Sequence, residues 1–309
     1  MIAIAPPPLV SVIVPCYNQG RFLSDAIESA LRQTHAPAEV IVVDDGSIDE
    51  TAAVVARYPS VRYMRQQNNG APSARNAGLR ASGGEFVVFL DADDRLVPDA
   101  LARGIEWLHE QPDCAFVTGH VTLIAHDGSP VATPAQSHAD GDQFVALLRS
   151  NYIWTPGAVL YRRKVLEDVG GFDPAADASA DFELNIRIAR RFPIGCHHHV
   201  VLEYRQHGAN MSTDLGTMLR SALGVRMALR DRVLGDPRAR AAWQEGIEIV
   251  KADFGRRLMR QVRADLRAGR RVRALKGLAC LLRYYPAGLL EMVAGRASSR
   301  SSLSTTRHL

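Results

Sequence analysis

Three short apolar runs constrain this chain more than any other feature: VSVIV leading to Pro15, EVIVV ending in Asp44 and Asp45, and EFVVFL ending in Asp91, Ala92 and Asp93. Each is a near-continuous block of β-branched and aromatic residues, too short for a helix, as expected of a strand buried on both faces. Segments with helical spacing, such as RFLSDAIESALRQ, lie between them. Strand and helix in alternation demand right-handed crossovers and a mostly parallel sheet flanked by helices. In open sheets of this class ligands gather outside the carboxyl ends of the strands, where Pro15, Asp45 and Asp93 all fall.

The carboxylates at those ends give the first chemical reading. Asp91 and Asp93, at i and i+2, can direct one oxygen to a hard metal ion and another to a ribose hydroxyl, with the ion bridging to a diphosphate. Asp44 and Asp45 precede a turn at Gly46 and Ser47, and Asp49 stands where a helix starts. An isolated Asp-x-Asp is common in ordinary loops, and a pair before a turn can serve only as its cap. Weight comes from the order in which further motifs follow.

Those motifs are SVIVPCYNQGRFLSDAIESALRQT, VVDDGSIDET, ARNAGLRASGGEFVVFLDADD, VGGFDP with ADFELNIRIAR, and YRQHGANMS, in sequence between Ser11 and Ser212. Together they resemble glycosyltransferase family 2, the inverting, metal-dependent nucleotide-sugar transferases of the GT-A fold. The resemblance implies an α/β GT-A fold with a mostly parallel, Rossmann-like sheet. It places Pro15 and Tyr17 beside the nucleotide, Tyr17 offering an aromatic face, and Asp45 against the pyrimidine N–H. By the same resemblance Arg75 and Asn76 sit by the nucleotide or its phosphates, Asp91 holds the ribose, and Asp93 with His207 holds Mn²⁺ or Mg²⁺. An imidazole ligand favours Mn²⁺. Asp181 is implied as the base that deprotonates the acceptor. The family's acidic pair reads Ala180–Asp181 here, so its first acid is missing.

Length allows one large domain or two modest ones. The chain has 309 residues, 47% of them hydrophobic, enough for a sizeable core. A net charge of +4 suits anionic nucleotide or lipid partners and does not argue for nucleic-acid binding. Cys16, Cys114, Cys196 and Cys280 lack CxxC spacing, so neither a zinc site nor a disulfide framework is expected, and the cytoplasm is the simplest location. MIAIAPPPLV does not read as a signal peptide, and Arg283, Pro286 and Glu291 interrupt the most apolar late stretch before it reaches the ~20 residues of a membrane span. The expected organisation is a catalytic domain over 1–213, with a nucleotide-binding half (1–112) and an acceptor half (113–213). A basic amphipathic helical extension over 214–296 and a disordered tail over 297–309 follow. Within the acceptor half, separate strands are expected over 115–118 and 121–125, then a mobile polar loop from Ser129 to Asp142.

Two further patterns need a reading. His197, His198 and His199 beside Cys196 alternate faces in a strand, so three in a row cannot converge on one ion without a bulge, and the run reads as structural. Trp243, Ile247, Val250, Phe254, Leu258, Val262 and Leu266 recur at helical spacing in a region crowded with arginines from Arg256 to Arg271. Such a helix either lies on an anionic cytoplasmic leaflet, as a peripheral membrane protein with a lipid-linked acceptor would, or packs on protein.

The expected reaction moves a sugar from a nucleotide-diphosphate donor, UDP-linked, to a hydroxyl of a glycan or lipid-linked acceptor in bacterial cell-surface polysaccharide or glycolipid synthesis. A non-catalytic nucleotide-sugar-binding protein is the rival that Ala180 keeps open. A nucleotidyltransferase fits less well, because VPCYNQGRF is a poor phosphate loop, and a hydride-transferring enzyme is disfavoured because no GxGxxG follows the first strand.

Overall fold

The computed structural model describes residues 6–139, 141–208, 210–286 and 289. Contacts divide the chain into two units, Met1–His138 with Ile153–His207, and Ala139–Tyr152 with Gly208–Leu309. The helices in chain order are α1 (Gly20–Leu31), α2 (Thr51–Val55), α3 (Ala71–Ala81), α4 (Ala100–Glu110), α5 (Gln143–Arg149), α6 (Arg163–Val169), α7 (Ala180–Ala189), α8 (Leu215–Ala228), α9 (Arg230–Val233), α10 (Pro237–Arg267) and α11 (Arg271–Tyr284).

The buried runs form the sheet of the first unit. β1 (Val10–Cys16), β2 (Ala38–Asp44), β3 (Arg62–Arg65) and β4 (Phe86–Phe89) run parallel in the spatial order β3-β2-β1-β4. Every residue of β1 and β4 is buried, as continuous apolar strands inside a sheet require, whereas the edge strand β3 exposes Arg62, Tyr63 and Arg65. Beyond β4 the sheet is mixed. β8 (Val159–Arg162) lies antiparallel to β4 and to β6 (Phe116–Ile124), and β9 (Gly195–Arg205) runs parallel to β6. β5 (Arg95–Leu96) and β7 (Pro130–Ala132) are short antiparallel additions. β1 to β4, β6 and β9 therefore share one direction, giving the mostly parallel sheet that alternation predicts. α1 buries Phe22, Leu23, Ala26, Ile27 and Ala30, one stripe of a 3.6-residue period.

Two expectations for the acceptor half need correction. The two strands expected over 115–125 are one strand, β6, irregular where His120 interrupts its register with β9. The stretch from Ser129 to Asp142 is not wholly a loop, because β7 pairs with the end of β6. Gln136 prolongs that pairing: its Oε1 accepts from Val121 N at 2.8 Å and its Nε2 donates to Val121 O at 2.7 Å, as a neighbouring strand would.

The second unit is helical. Leu215, Leu219, Leu223, Ile247, Val250, Leu258, Val262 and Leu281 form its core, with Trp243 and Phe254 packed against them. At Gly246 a Cβ would stand 2.0 Å from Leu148 O, so only hydrogen fits where α10 crosses α5. Of the two placements open for the α10 stripe, a membrane surface or packing on protein, most of its residues take the second inside this unit, while Leu266 stays 51% exposed. Among the described residues no helix is long and apolar enough to cross a membrane. The tail over 297–309 lies outside the described residues.

Candidate active site

The carboxyl ends of β1 and β2 are locked together just past their last pair. Asp45 N donates to Cys16 O at 2.8 Å, continuing the parallel ladder by one residue. Both oxygens of Asp44 are engaged, with Oδ1 accepting from Ser47 N at 2.7 Å and Oδ2 from the Tyr63 hydroxyl at 2.6 Å. It is the turn cap. Asp45 organises the facing loop: Oδ1 accepts from Gln66 Nε2 at 2.7 Å and Asn69 N at 3.0 Å, and Oδ2 from Gly70 N at 2.8 Å. Gly70 holds φ +85°, a left-handed conformation that favours glycine, and directly precedes α3. Pro15 is buried in β1, whereas Tyr17, just beyond its end, is 50% exposed.

The end of β4 carries the densest charge. Asp93 Oδ2 lies 2.8 Å from His207 Nε2 and 3.5 Å from Gln19 Nε2. The His207 ring rests on Phe22 at 4.8 Å, which fixes its orientation. Asp94 is buried, and burial first, then the charges of Asp93 and Asp91, push its carboxyl well above the usual range. Asp94 Oδ2 and Gln19 Oε1 are buried without a hydrogen-bond partner. Crowded carboxylates, an imidazole and orphaned acceptor oxygens form an oxygen-rich donor set that fits Mn²⁺ or Mg²⁺.

A third cluster joins α3, β4 and α7. Arg75 Nη2 donates to Asp91 Oδ1 at 2.7 Å, its guanidinium lies 5.3 Å from the Phe172 ring, and Thr155 Oγ1 donates to Asp91 Oδ2 at 3.3 Å. Burial opposes the charge of Arg75, but Asp91 and then Asp181 more than offset it. Asp181 is half-buried in the first turn of α7. Burial pushes its carboxyl up; Arg75 and the Phe182 N–H pull the other way, and Asp91 adds to the rise. Asn76 is held by backbone. Its Nδ2 donates to Phe172 O at 2.8 Å and its Oδ1 accepts from Phe172 N at 2.9 Å, so it clamps the VGGF turn to α3.

Sequence reasoning missed Arg205. This side chain is 1% exposed. Its Nε donates to Asp93 O at 2.8 Å, Nη1 to His126 O at 2.9 Å and Nη2 to Asp25 Oδ2 at 2.5 Å, while its own N–H reaches Asp94 Oδ1 at 2.9 Å. It sets the course of the Asp93–Asp94 backbone from the end of β9. Its place two residues before His207 is the one hint the sequence holds. Gln19 and Thr155, which touch Asp93 and Asp91, carry no hint of their own.

On this frame the comparisons are direct. The sequence profile described as "Glycosyl transferase family 2" matches residues 11–170, and the chain belongs to that family of transferases. The putative teichuronic acid biosynthesis glycosyltransferase TuaG of Bacillus subtilis is 38% identical over 130 residues, 40% of this chain and 51% of TuaG. The chain spans about half the length of the curated relatives that head the matches. TarS of S. aureus, solved with UDP-GlcNAc, aligns with TM-score 0.59 at 20% identity, covering 80% of this chain and 72% of TarS. The mannosyltransferase PcManGT from Pyrobaculum calidifontis, solved with GDP-Man and Mn²⁺, aligns with TM-score 0.54 at 21% identity, covering 94% and 89%. At that identity the likeness shows the GT-A fold.

Proposed function

We propose that the chain transfers a sugar, with inversion, from a UDP-linked donor to a hydroxyl of a cell-surface glycan or glycolipid. The observation that carries this is the Asp93–His207 contact of 2.8 Å beside the Arg75–Asp91 pair of 2.7 Å at the end of one buried strand. TarS, with its UDP-GlcNAc, and TuaG, named for teichuronic acid biosynthesis, support the donor and acceptor classes.

Each residue has a definable task. Asp45 Oδ1 already accepts two hydrogen bonds and Oδ2 one, so Oδ2 has the remaining lone pair for a pyrimidine N–H. Tyr17 lends its face to the base and Pro15 stiffens the chain beneath it. Arg75 holds Asp91 in place for the ribose and brings positive charge near the diphosphate. Asp93 and His207 would hold Mn²⁺ or Mg²⁺, which neutralises charge on the departing diphosphate. Asp181 takes the acceptor's proton, and the resulting oxygen attacks the anomeric carbon opposite the leaving group.

A donor panel tests the reading: with Mn²⁺, UDP-linked sugars should be slowly hydrolysed to UDP and GDP-linked sugars spared. Preference for GDP would overturn the pyrimidine assignment. Asp45→Ala should weaken UDP binding ~10-fold or more, because a hydrogen bond to a charged group contributes ~1.5–3 kcal/mol. Calorimetry giving an unchanged Kd refutes that role.

Membrane association belongs to the same proposal, on α11 instead of α10. Val272, Leu275 and Leu282 are 70%, 64% and 65% exposed at helical spacing, with exposed Lys276 and Arg283 among them. Co-sedimentation with anionic liposomes should fall as salt is raised and fall again in Leu275→Glu. Absence of binding at low salt would leave this face without a membrane role.

A further inference from the structure

A cluster of soft ligands lies on β6 and β9, away from the residues assigned above. Between Thr118 and His120 on β6 the register passes from Cys196 to Val200 on β9, so β9 contributes four steps against two and bulges. Cys196 and His198, at i and i+2, come together with His120 of β6, and one ligand atom from each lies within 4.8 Å of the others. The His120 and His198 rings meet edge to face at 5.4 Å. His120 Nε2 is buried with no hydrogen-bond partner. Cys196 Sγ has only a weak contact of 3.6 Å to His197 O.

We propose that His120, Cys196 and His198 form a second metal site, chemically distinct from that at Asp93, that takes Zn²⁺. Two imidazoles and a thiolate are the ligand set of a borderline-soft ion, and one that Mg²⁺ and Mn²⁺ do not favour. Burial, then the neighbouring His198 and His199, hold the His120 pKa below its ordinary value. Burial also pushes the Cys196 thiol up to about 11, so this group gives up its proton as the ion binds. Tetrahedral Zn–N and Zn–S bonds put the donor atoms roughly 3.3–3.8 Å apart, so the three side chains close by about 1 Å on binding. The fourth position falls to water, or to His138, whose ring is 6.4 Å from that of His198.

CxxC spacing does not reveal this arrangement because its ligands come from two strands. The three consecutive histidines are not the set, because Cys196 and His198 combine with a partner far away in sequence. A bound ion would staple β6 to β9, the strand that ends in Arg205 and leads into His207.

The test uses the full-length chain, stripped with a chelator, held in excess Mg²⁺ and titrated with Co²⁺ and then Zn²⁺. One equivalent of Co²⁺ should produce thiolate-to-cobalt charge-transfer absorption in the near ultraviolet, which an oxygen and imidazole site at Asp93 does not give, and Zn²⁺ should displace it. Cys196→Ser should abolish the band. His120→Gln and His198→Gln should each weaken binding ~100-fold or more, since loss of a group merely supporting a ligand already costs ~10–100-fold. His198 is exposed, so its variant is expected to keep the fold, checked by circular dichroism. Absence of the band overturns the proposal, as does a folded His198→Gln chain that holds Co²⁺ as tightly as the parent.

Discussion

Asp181→Asn should lower sugar transfer ~10²-fold or more while leaving donor affinity intact, because the amide keeps the shape of the side chain and removes its basicity. Asp181 sits in the first turn of α7, and burial, with a contribution from Asp91, raises its carboxyl while Arg75 restrains the rise. A raised base must still be ionised to act. The acid limb of kcat/KM should therefore lie above the ordinary Asp value of about 3.9, with activity lost as pH falls through it. Ala180 is 1% exposed, so an acid there would be buried and would add like charge beside Asp181. If donor binding and transfer both survive in Asp181→Asn, the base lies elsewhere. Asp177, held at φ 45° and ψ −119° in the turn before α7, is then the carboxylate to replace, since strain of that kind in a non-glycine residue concentrates at functional sites.

What sequence could and could not show follows from the range of the forces involved. Continuous apolar runs too short for a helix and rich in β-branched residues fit a strand covered on both faces, so β1, β2 and β4 were legible from composition and length. The strand-end carboxylates were legible for the same reason: polar groups at the end of a buried run must face a ligand, a cap or water. Asp44 and Asp45 show the limit. They are adjacent and chemically identical, yet one is spent on a turn and the other on a loop more than 20 residues away, a division set by tertiary hydrogen bonds. Arg205 was invisible because an arginine reads as exposed until its partners are known, and those come from α1, the Asp93 loop and the turn after β6. The stripe on α10 reads as apolar from its spacing alone, but periodicity reports that a face is buried and not what covers it, and the choice between a membrane and protein needed the helices that pack on it.

Asp93→Ala should abolish the dependence of transfer on a divalent cation and lower the rate ~10²–10³-fold, the range associated with losing one group aimed at developing charge. The substitution isolates the side chain. Arg205 grips the Asp93 carbonyl and the Asp94 carboxylate, neither of which is removed, so the loop should hold its course. His207→Gln is the graded companion: it removes the imidazole 2.8 Å from Asp93 but leaves the carboxylate, so activity should fall less and recover in part at higher Mn²⁺. Asp93→Asn separates charge from shape, and should resemble Asp93→Ala if attraction for a cation is what matters. Full turnover in excess chelator would sink the metal assignment outright. Loss in Asp93→Ala without any metal dependence in the parent would instead make Asp93 a direct contact to donor or acceptor, with His207 its positioning partner.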